Sequence, residues 1–387
     1  MTRRLYDENS HIREFSARVC VCVPRDDAWE VILDQTAFFP GGGGQEPDTG
    51  TVGGFAAAGW GERDGEILHR VTSPLAPGET VECAIDWAPR FSRMQQHSGE
   101  HLLSGILHAL CGAENTGFHM GREDVVVDFD RYIPPEQLRD AEARVNRAIW
   151  ENVPVTVSYP DPGALPALTY RSKLDLRENV RLVTIEGYDV CACCAPHVLR
   201  TGEIGLIKIL ESARRKEGTR LHMLAGSRAL DLLNRYADEA REVSGLLSVP
   251  PEAIGSGMRR YAEAHRQLEY RYGALRRREL AERLEKLEPC EGNLVLIEDG
   301  LDAAALREAV NRGVELCTGL CAAFSGSDET GYRYVIGAAA GEVSSAAGEI
   351  NRAIQGRGGG RGARIEGSAA ADEAAIRAFF KTFSINE

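Results

Sequence analysis

The 387-residue chain contains no apolar run of the ~18 residues that a membrane span needs. Its opening segment, MTRRLYDENSHIREF, lacks the apolar core of a secretory leader, so a cytoplasmic location is the expectation. Basic charge is also short: 45 Lys and Arg stand against 58 Asp and Glu, a formal net charge of −13. That balance argues against broad, non-specific nucleic-acid binding and leaves any such contact to local basic patches. No internal repeat is present, and no aspartate-histidine-histidine motif of a phosphoesterase.

What remains is a chain with 43% hydrophobic residues, enough for a sizeable core and long enough for two or three units of roughly 100–200 residues. An α+β organisation is expected. Residues 1–88 read as a small β-barrel or sandwich, because short alternating runs such as RVCVCVP, WEVILDQT and ETVECAIDW are separated by Gly, Pro and Asp turns. Residues 89–225 are mixed α/β, with one helix starting near residue 89 and a second after PPEQL. In residues 226–288, Leu233, Tyr236, Ala240, Val243 and Leu247 recur at alternating spacings of three and four, and Leu280, Leu284 and Leu287 continue an apolar stripe. That pattern suits a helical hairpin or short coiled coil, or two ordinary packed helices. Residues 289–387 form a further small α/β unit ending in a Gly-Arg loop and a tail helix.

Ten cysteines in a reducing compartment are buried small residues, metal ligands or reactive thiols rather than disulfides. Cys20, Cys22, Cys83, Cys111, Cys290, Cys317 and Cys321 have apolar neighbours and are expected in the core. Three others crowd into VCACCAPHV, residues 190–198.

The segment HSGEH, residues 97–101, is an H-x-x-E-H pattern, the inverted zinc-peptidase signature. Two histidines four apart leave one helix face and suit a single zinc ion. Downstream, Cys193 and His197 are separated by three residues. His97, His101, Cys193 and His197 together make a tetrahedral set that Zn²⁺ favours. Cys191 and Cys194 stand close enough in sequence to replace Cys193. Cys191 and Cys194 also form a C-x-x-C, but no helix follows it in the βαβ context of a thioredoxin-like site. Four protein ligands would close the coordination sphere, which counts against a peptidase using Glu100 as its base and leaves Glu100 as a solvated helix residue.

A second informative stretch is DQTAFFPGGGGQEPDTG, residues 34–50. Four consecutive glycines allow positive φ and a close approach of backbone to ligand. The run has neither the G-K-[ST] of a phosphate loop nor the spacing of a dinucleotide fingerprint. Thr36 and Gln45 flank it with polar groups. Near the C-terminus, NRAIQGRGGGRGAR sets Arg352, Arg357, Arg361 and Arg364 among glycines with no acid, a composition suited to phosphates. RQLEYRYGALRRREL is a second basic patch.

Taken in order, these segments resemble the alanyl-tRNA editing proteins, the freestanding relatives of the editing domain of alanyl-tRNA synthetase. DQTAFFPGGGGQEPDTG is similar to the family's T-x-F-Y-x-x-G-G-G-Q-x-x-D-x-G element, HSGEHLL to its H-x-x-x-H-L-L, and CCAPHV to its C-G-G-T-H-V. GRGGGRGARIEGSA resembles the Gly-rich signature of the DHHA1 domain. The resemblance implies a zinc-containing editing core after the barrel, a helical connection and a DHHA1-like C-terminal domain. It implies Zn²⁺ on His97, His101, Cys193 and His197. Thr36 would read the hydroxyl of a mischarged serine, and Gln45 with Gly42, Gly43 and Gly44 would line the aminoacyl pocket. Arg357 and Arg361 would contact tRNA, and the helical or C-terminal region would support a homodimer. Cys194, Ala195 and Pro196 depart from the family's Gly, Gly and Thr.

The chemistry calls for such an activity. A synthetic site shaped for alanine cannot exclude glycine, and it rejects an added hydroxyl by only about 10²-fold. A second site that deacylates seryl-tRNA(Ala), and glycyl-tRNA(Ala), corrects both errors. A peptidase, or a tRNA-binding module with a structural zinc, are the alternatives.

Overall fold

The computed structural model describes residues 1–172, 179–216 and 218–385. The chain divides into two compact units, Met1–Glu239 and Ala240–Glu387.

In the first unit, alternation builds the barrel. Strand β1 (Glu14–Arg25) turns Phe15, Ala17 and Val19 inward while Glu14, Ser16 and Arg18 face out. A register shift between Val19 and Val21 then breaks the alternation. Cys20, expected in the core, is exposed because it continues the outward series of Glu14, Ser16 and Arg18; the shift leaves Val21 exposed as well, and Cys22 is half-buried. Strands β2 (Ala28–Leu33), β3 (Thr49–Val52), β4 (Phe55–Arg63), β5 (Glu66–Val71) and β6 (Thr80–Ile85) complete a closed barrel in the order β1-β2-β5-β4-β3-β6. Val31, Leu33, Phe38, Val52 and Val71 fill it.

Helix α1 (Trp87–Cys111) follows at once and stops at Gly112, whose left-handed backbone (φ 67) donates its N–H to His108 O at 2.7 Å. Every residue from Met94 to Leu107 is buried. Leu102, Leu103, Ile106 and Leu107 pack with Val125 and Val127 of β8 (Val125–Phe129) and with Leu138, Val145 and Ile149 of α2 (Pro135–Glu151). Each such side chain contributes about 1.5–3 kcal/mol on burial. Strand β8 lies in a four-stranded antiparallel sheet between β7 (Asn115–Met120) and β13 (Gly218–Ala225), with β12 (Ile207–Arg215) outermost. Strands β9 (Val155–Ser158), β10 (Leu182–Ile185) and β11 (Asp189–Ala192) form a separate antiparallel sheet.

Gly105 lets α1 meet the residues ahead of β11. A Cβ there would fall 2.6 Å from Tyr188 O and 2.7 Å from the Asp189 side chain. The helix accepts a glycine, at a cost of about 1 kcal/mol relative to alanine, and gains that approach.

Helix α3 (Gly226–Leu247) carries the boundary between the units. In the second unit, α4 (Ile254–Glu285) buries Gly257 near its start and Leu280 and Leu284 near its end, where the two leucines pack with Leu306, Ala309 and Val310 of α5 (Ala303–Gly313) and with Cys317 and Cys321. A five-stranded sheet runs β14 (Leu294–Ile297), β15 (Leu320–Ser327), β16 (Gly331–Ala338), β18 (Arg364–Ala369), β17 (Arg357–Arg361). Only the β14–β15 pair is parallel. Phe324, Tyr334, Ile336 and Ile365 of the sheet pack with Ile350 of helix α6 (Ala347–Ala353) and with Ile376 and Phe380 of helix α7 (Glu373–Thr382). The Gly-Arg segment is therefore no loop. It is an edge strand, because Arg357–Arg361 pairs in full register with Arg364–Ser368 across a Gly362 turn.

Candidate metal centre

His97 and His101 leave the same face of α1, with ring centroids 5.2 Å apart. After β11 the chain turns through Cys193 to His197, whose ring stands 4.8 Å from His97 and 4.5 Å from His101. Cys193 Sγ lies 3.5 Å from His97 Nε2 and 3.4 Å from His197 Nε2. One ligand atom from each of the four residues falls within 4.8 Å of all the others.

Each imidazole is oriented by its second nitrogen. His97 Nδ1 donates to Gln45 Oε1 at 3.1 Å. His197 Nδ1 is 3.0 Å from Ser98 Oγ, which also accepts the Val198 N–H at 3.1 Å. His101 Nδ1 stands 3.6 Å from Asp189 Oδ2. Arg171 grips Asp189 with two hydrogen bonds of 2.7 and 2.8 Å. Such partners fix the ring and leave Nε2 for a metal. Burial holds His197 well below the usual imidazole range, with His101 and His97 adding to the effect, so the ring is neutral as a ligand must be. Burial pushes the Cys193 thiol up to about 12; a cation at the centre reverses that and holds the thiolate. The donor set therefore fits a metal ion.

Asp189, His101 and Cys191 form a second close group. Asp189 is already committed to Arg171 through both carboxylate oxygens, so the three-histidine group with Cys193 is the better centre. Cys194 belongs to neither group and is exposed.

The centre forms part of the wall of a cavity of about 410 Å³, shared by His97, His101 and Cys193 with Glu100, Asn115, Phe118 and Gly43. Gly41 to Gly44 all have positive φ, and Gly42 and Gln45 exchange backbone hydrogen bonds of 3.0 Å. A Cβ on Gly44 would fall 2.6 Å from the Phe118 ring. Gly43 reaches the cavity, whereas Gly42 and Gly44 pack behind it, against Cys194 and Phe118. The turn is anchored by a buried ion pair, since Asp48 accepts from the Phe39 N–H at 2.7 Å and from Arg90 of α1, which also donates to Ala37 O at 3.2 Å.

Thr36 lies elsewhere. Its side chain is wholly buried in the barrel, donating to His69 Nε2 at 2.8 Å and accepting the Phe38 N–H at 3.1 Å. It is not on the cavity wall, and its hydroxyl is already engaged. Arg357 and Arg361 are exposed on the edge strand of the second unit, while the centre and cavity belong to the first. Glu100, read from sequence as solvated, is buried on the cavity wall. Sequence reasoning also missed Asp189, Arg171 and Asn115. No motif marks them; the one available signal was the placing of Asp189 two residues before Cys191.

Residues 180–222, which include Cys193 and His197, match the family model of the threonyl and alanyl tRNA synthetase second additional domain. The chain is 31% identical over 291 residues to the alanyl-tRNA editing protein AlaX-L of Pyrococcus horikoshii, covering 72% of this chain and 71% of that protein. This chain belongs to the alanyl-tRNA editing protein family. Another member of the family, the alanyl-tRNA editing protein Aarsd1 of Mus musculus, is 33% identical over 261 residues, and the match spans 63% of each chain. The alanine–tRNA ligase of Thermococcus kodakarensis is 31% identical over 347 residues, which are 80% of this chain and 36% of the ligase. The centre and the glycine turn are thus features of an alanyl-tRNA editing family member.

Proposed function

We propose that the protein is an editing hydrolase that acts in trans in the cytoplasm on mischarged tRNA(Ala), deacylating seryl-tRNA(Ala) chiefly and glycyl-tRNA(Ala) as well. The observation that carries this reading is that His97, His101 and Cys193 of the centre lie on the wall of a cavity rather than sealed in a core. A purely structural metal needs no such access. The names of its relatives point to the same chemistry.

Zn²⁺ on His97, His101, Cys193 and His197 would organise the cavity wall and supply a positive charge that orients the aminoacyl ester. The chain's own residues do the rest. The Gly43 backbone comes close because no side chain intervenes, and Phe118 closes the apolar side of the cavity. Water adds to the ester carbonyl, the bond to the ribose oxygen breaks, and that oxygen regains a proton as the amino acid leaves. An aminoacyl ester is reactive, so positioning supplies much of the rate.

Because the Thr36 hydroxyl is engaged with His69 and Phe38, we assign Thr36 to positioning the segment that leads into the glycine turn. Any effect on serine preference then travels through Gln45 and Gly43. The exposed strand Arg357–Arg361, DHHA1-like in sequence, supports a contact with tRNA phosphates, its glycines leaving the backbone open between two arginines. A homodimer is supported by α4, where Met258, Tyr261, Leu268, Tyr272 and Leu275 fall at coiled-coil positions and are each more than half exposed. Antiparallel pairing suits it, because parallel copies would bring Arg271 of one against Arg276 of the other.

The test is deacylation by metal-loaded protein. Hydrolysis of seryl-tRNA(Ala), with alanyl-tRNA(Ala) spared, is expected. Failure on both seryl- and glycyl-tRNA(Ala) with metal bound would overturn the reading.

A further inference from the structure

Glu100 precedes His101 on α1 and is only 3% exposed, yet it lines the cavity. Its Oε1 accepts from the Ser104 hydroxyl and from Asn115 Nδ2. Among the described residues, no hydrogen bond reaches Oε2 and no Lys, Arg or His forms an ion pair with this carboxylate. Arg171, whose charge acts on Glu100 at longer range, donates through Nε and Nη2 to Asp189.

Asn115 adds the second observation. It is nine-tenths buried and lines the same cavity. Its Nδ2 must face the Glu100 carboxylate, and it also approaches Ser104 Oγ at 3.4 Å. Its carbonyl Oδ1 therefore turns the other way, and that atom is buried with no hydrogen-bond partner. The cavity wall thus offers a carboxylate served only by neutral donors beside an orphaned acceptor.

A buried carboxylate without a direct ion pair and a buried acceptor without a donor are both costly. One ligand relieves both. A primary ammonium carries a full positive charge and three N–H donors, and no acceptor of its own. In an aminoacyl ester that group sits one carbon from the carbonyl to be attacked, and Glu100 is one residue from a ligand of the centre. We propose that Glu100 and Asn115 form the subsite for the free α-ammonium group of the aminoacyl ester. The assignment rests on the deacylase reading and goes further: the enzyme hydrolyses free aminoacyl esters and spares N-acylated ones, including peptidyl esters. N-acylation removes the charge, removes two donors and adds bulk beside Glu100.

The experiment compares seryl-tRNA(Ala) with N-acetyl-seryl-tRNA(Ala) on metal-loaded, full-length protein. Wild type is expected to prefer the free ester by tenfold or more. Glu100→Gln keeps an acceptor for Ser104 and Asn115 and removes only the charge. It should lower kcat/KM on the free ester about 10–100-fold, mainly through KM, with metal content and the N-acetyl rate unchanged. Asn115→Ala should act in the same direction with a smaller loss, and it decides the matter if Glu100→Gln misfolds. Equal losses on both esters, a loss confined to kcat, or a wild type blind to N-acetylation would overturn the proposal. Calorimetry with serinamide and N-acetylserinamide separates this subsite from the deacylase reading. Serinamide binding that falls tenfold or more in Glu100→Gln, without hydrolysis of seryl-tRNA(Ala) by wild type, would leave the ammonium subsite standing and remove the deacylase. Hydrolysis with no Glu100-dependent discrimination would do the reverse.

Discussion

Gln45 Oε1 takes a hydrogen bond from His97 Nδ1 at 3.1 Å, so the last residue of the glycine turn fixes the first histidine of the centre. Two segments 52 positions apart in sequence are joined at this contact. The turn is held from the other side by Asp48 and Arg90, and Arg90 lies on the same helix as His97. Cavity wall and candidate metal centre are therefore joined through the turn and one face of α1.

Replacing Gln45 by Leu should weaken metal binding by about 10–100-fold, the usual cost of losing a partner that orients a ligand histidine. Gln45→Glu keeps an acceptor for His97 and should retain the metal. Competition with a chromophoric chelator measures both, and an unchanged affinity in Gln45→Leu would take Gln45 out of this role.

The cysteine assignment has a direct check. Cys193→Ser should leave the purified protein largely metal-free, whereas Cys191→Ser and Cys194→Ser should load close to wild type by elemental analysis. Loss of metal in Cys191→Ser with retention in Cys193→Ser would hand the position to the group around Asp189.

Arg90 and Asp48 are 1% and 0% exposed at their side chains. Burial raises the Asp48 carboxyl and lowers the Arg90 guanidinium, so each charge depends on the other. Arg90→Met should cost about 3–5 kcal/mol in urea unfolding, because it leaves Asp48 charged and unpaired. Adding Asp48→Asn should recover part of that loss. An additive double variant would show that the pair is uncoupled.

Self-association is tested on α4. Leu268→Glu places a charge at the middle of the exposed apolar series and should convert a dimer to monomer by sedimentation, with the fold of each unit intact. A monomeric wild type would end the dimer reading.

The centre was legible because its ligands come in two local pairs of fixed spacing, one set by a helical turn and one by a short loop. The barrel strands were legible through alternation, up to the register shift that exposes Val21. Asp189, Arg171, Asn115 and Glu100 were not, since they acquire their roles through contacts between α1, β7 and the segment around β11 that no local pattern encodes. The α4 series was hidden by the arginines interleaved with it, and the Gly-Arg strand by glycines that argue against strand formation until a neighbouring strand supplies the pairing.

His69 gives the barrel a pH signature. Its ring is fully buried, donates from Nδ1 to Val31 O at 3.1 Å and accepts from the Thr36 hydroxyl, and burial holds its pKa down at about 4. The unfolded chain takes up the proton near 6.5, so below that pH the unfolded state binds more protons than the folded one. The stability from a neutral His69 is therefore complete above pH 6.5. It is lost progressively as pH falls toward 4, by roughly 3 kcal/mol in all. Unfolding free energies of wild type and His69→Gln, measured from pH 7.5 to 4.5, should converge as pH falls. Thr36→Val removes the donor to Nε2 and should cost about 1–3 kcal/mol at neutral pH. A constant gap between wild type and His69→Gln across that range would mean that folding leaves the His69 pKa at its unfolded value, and would overturn the burial argument.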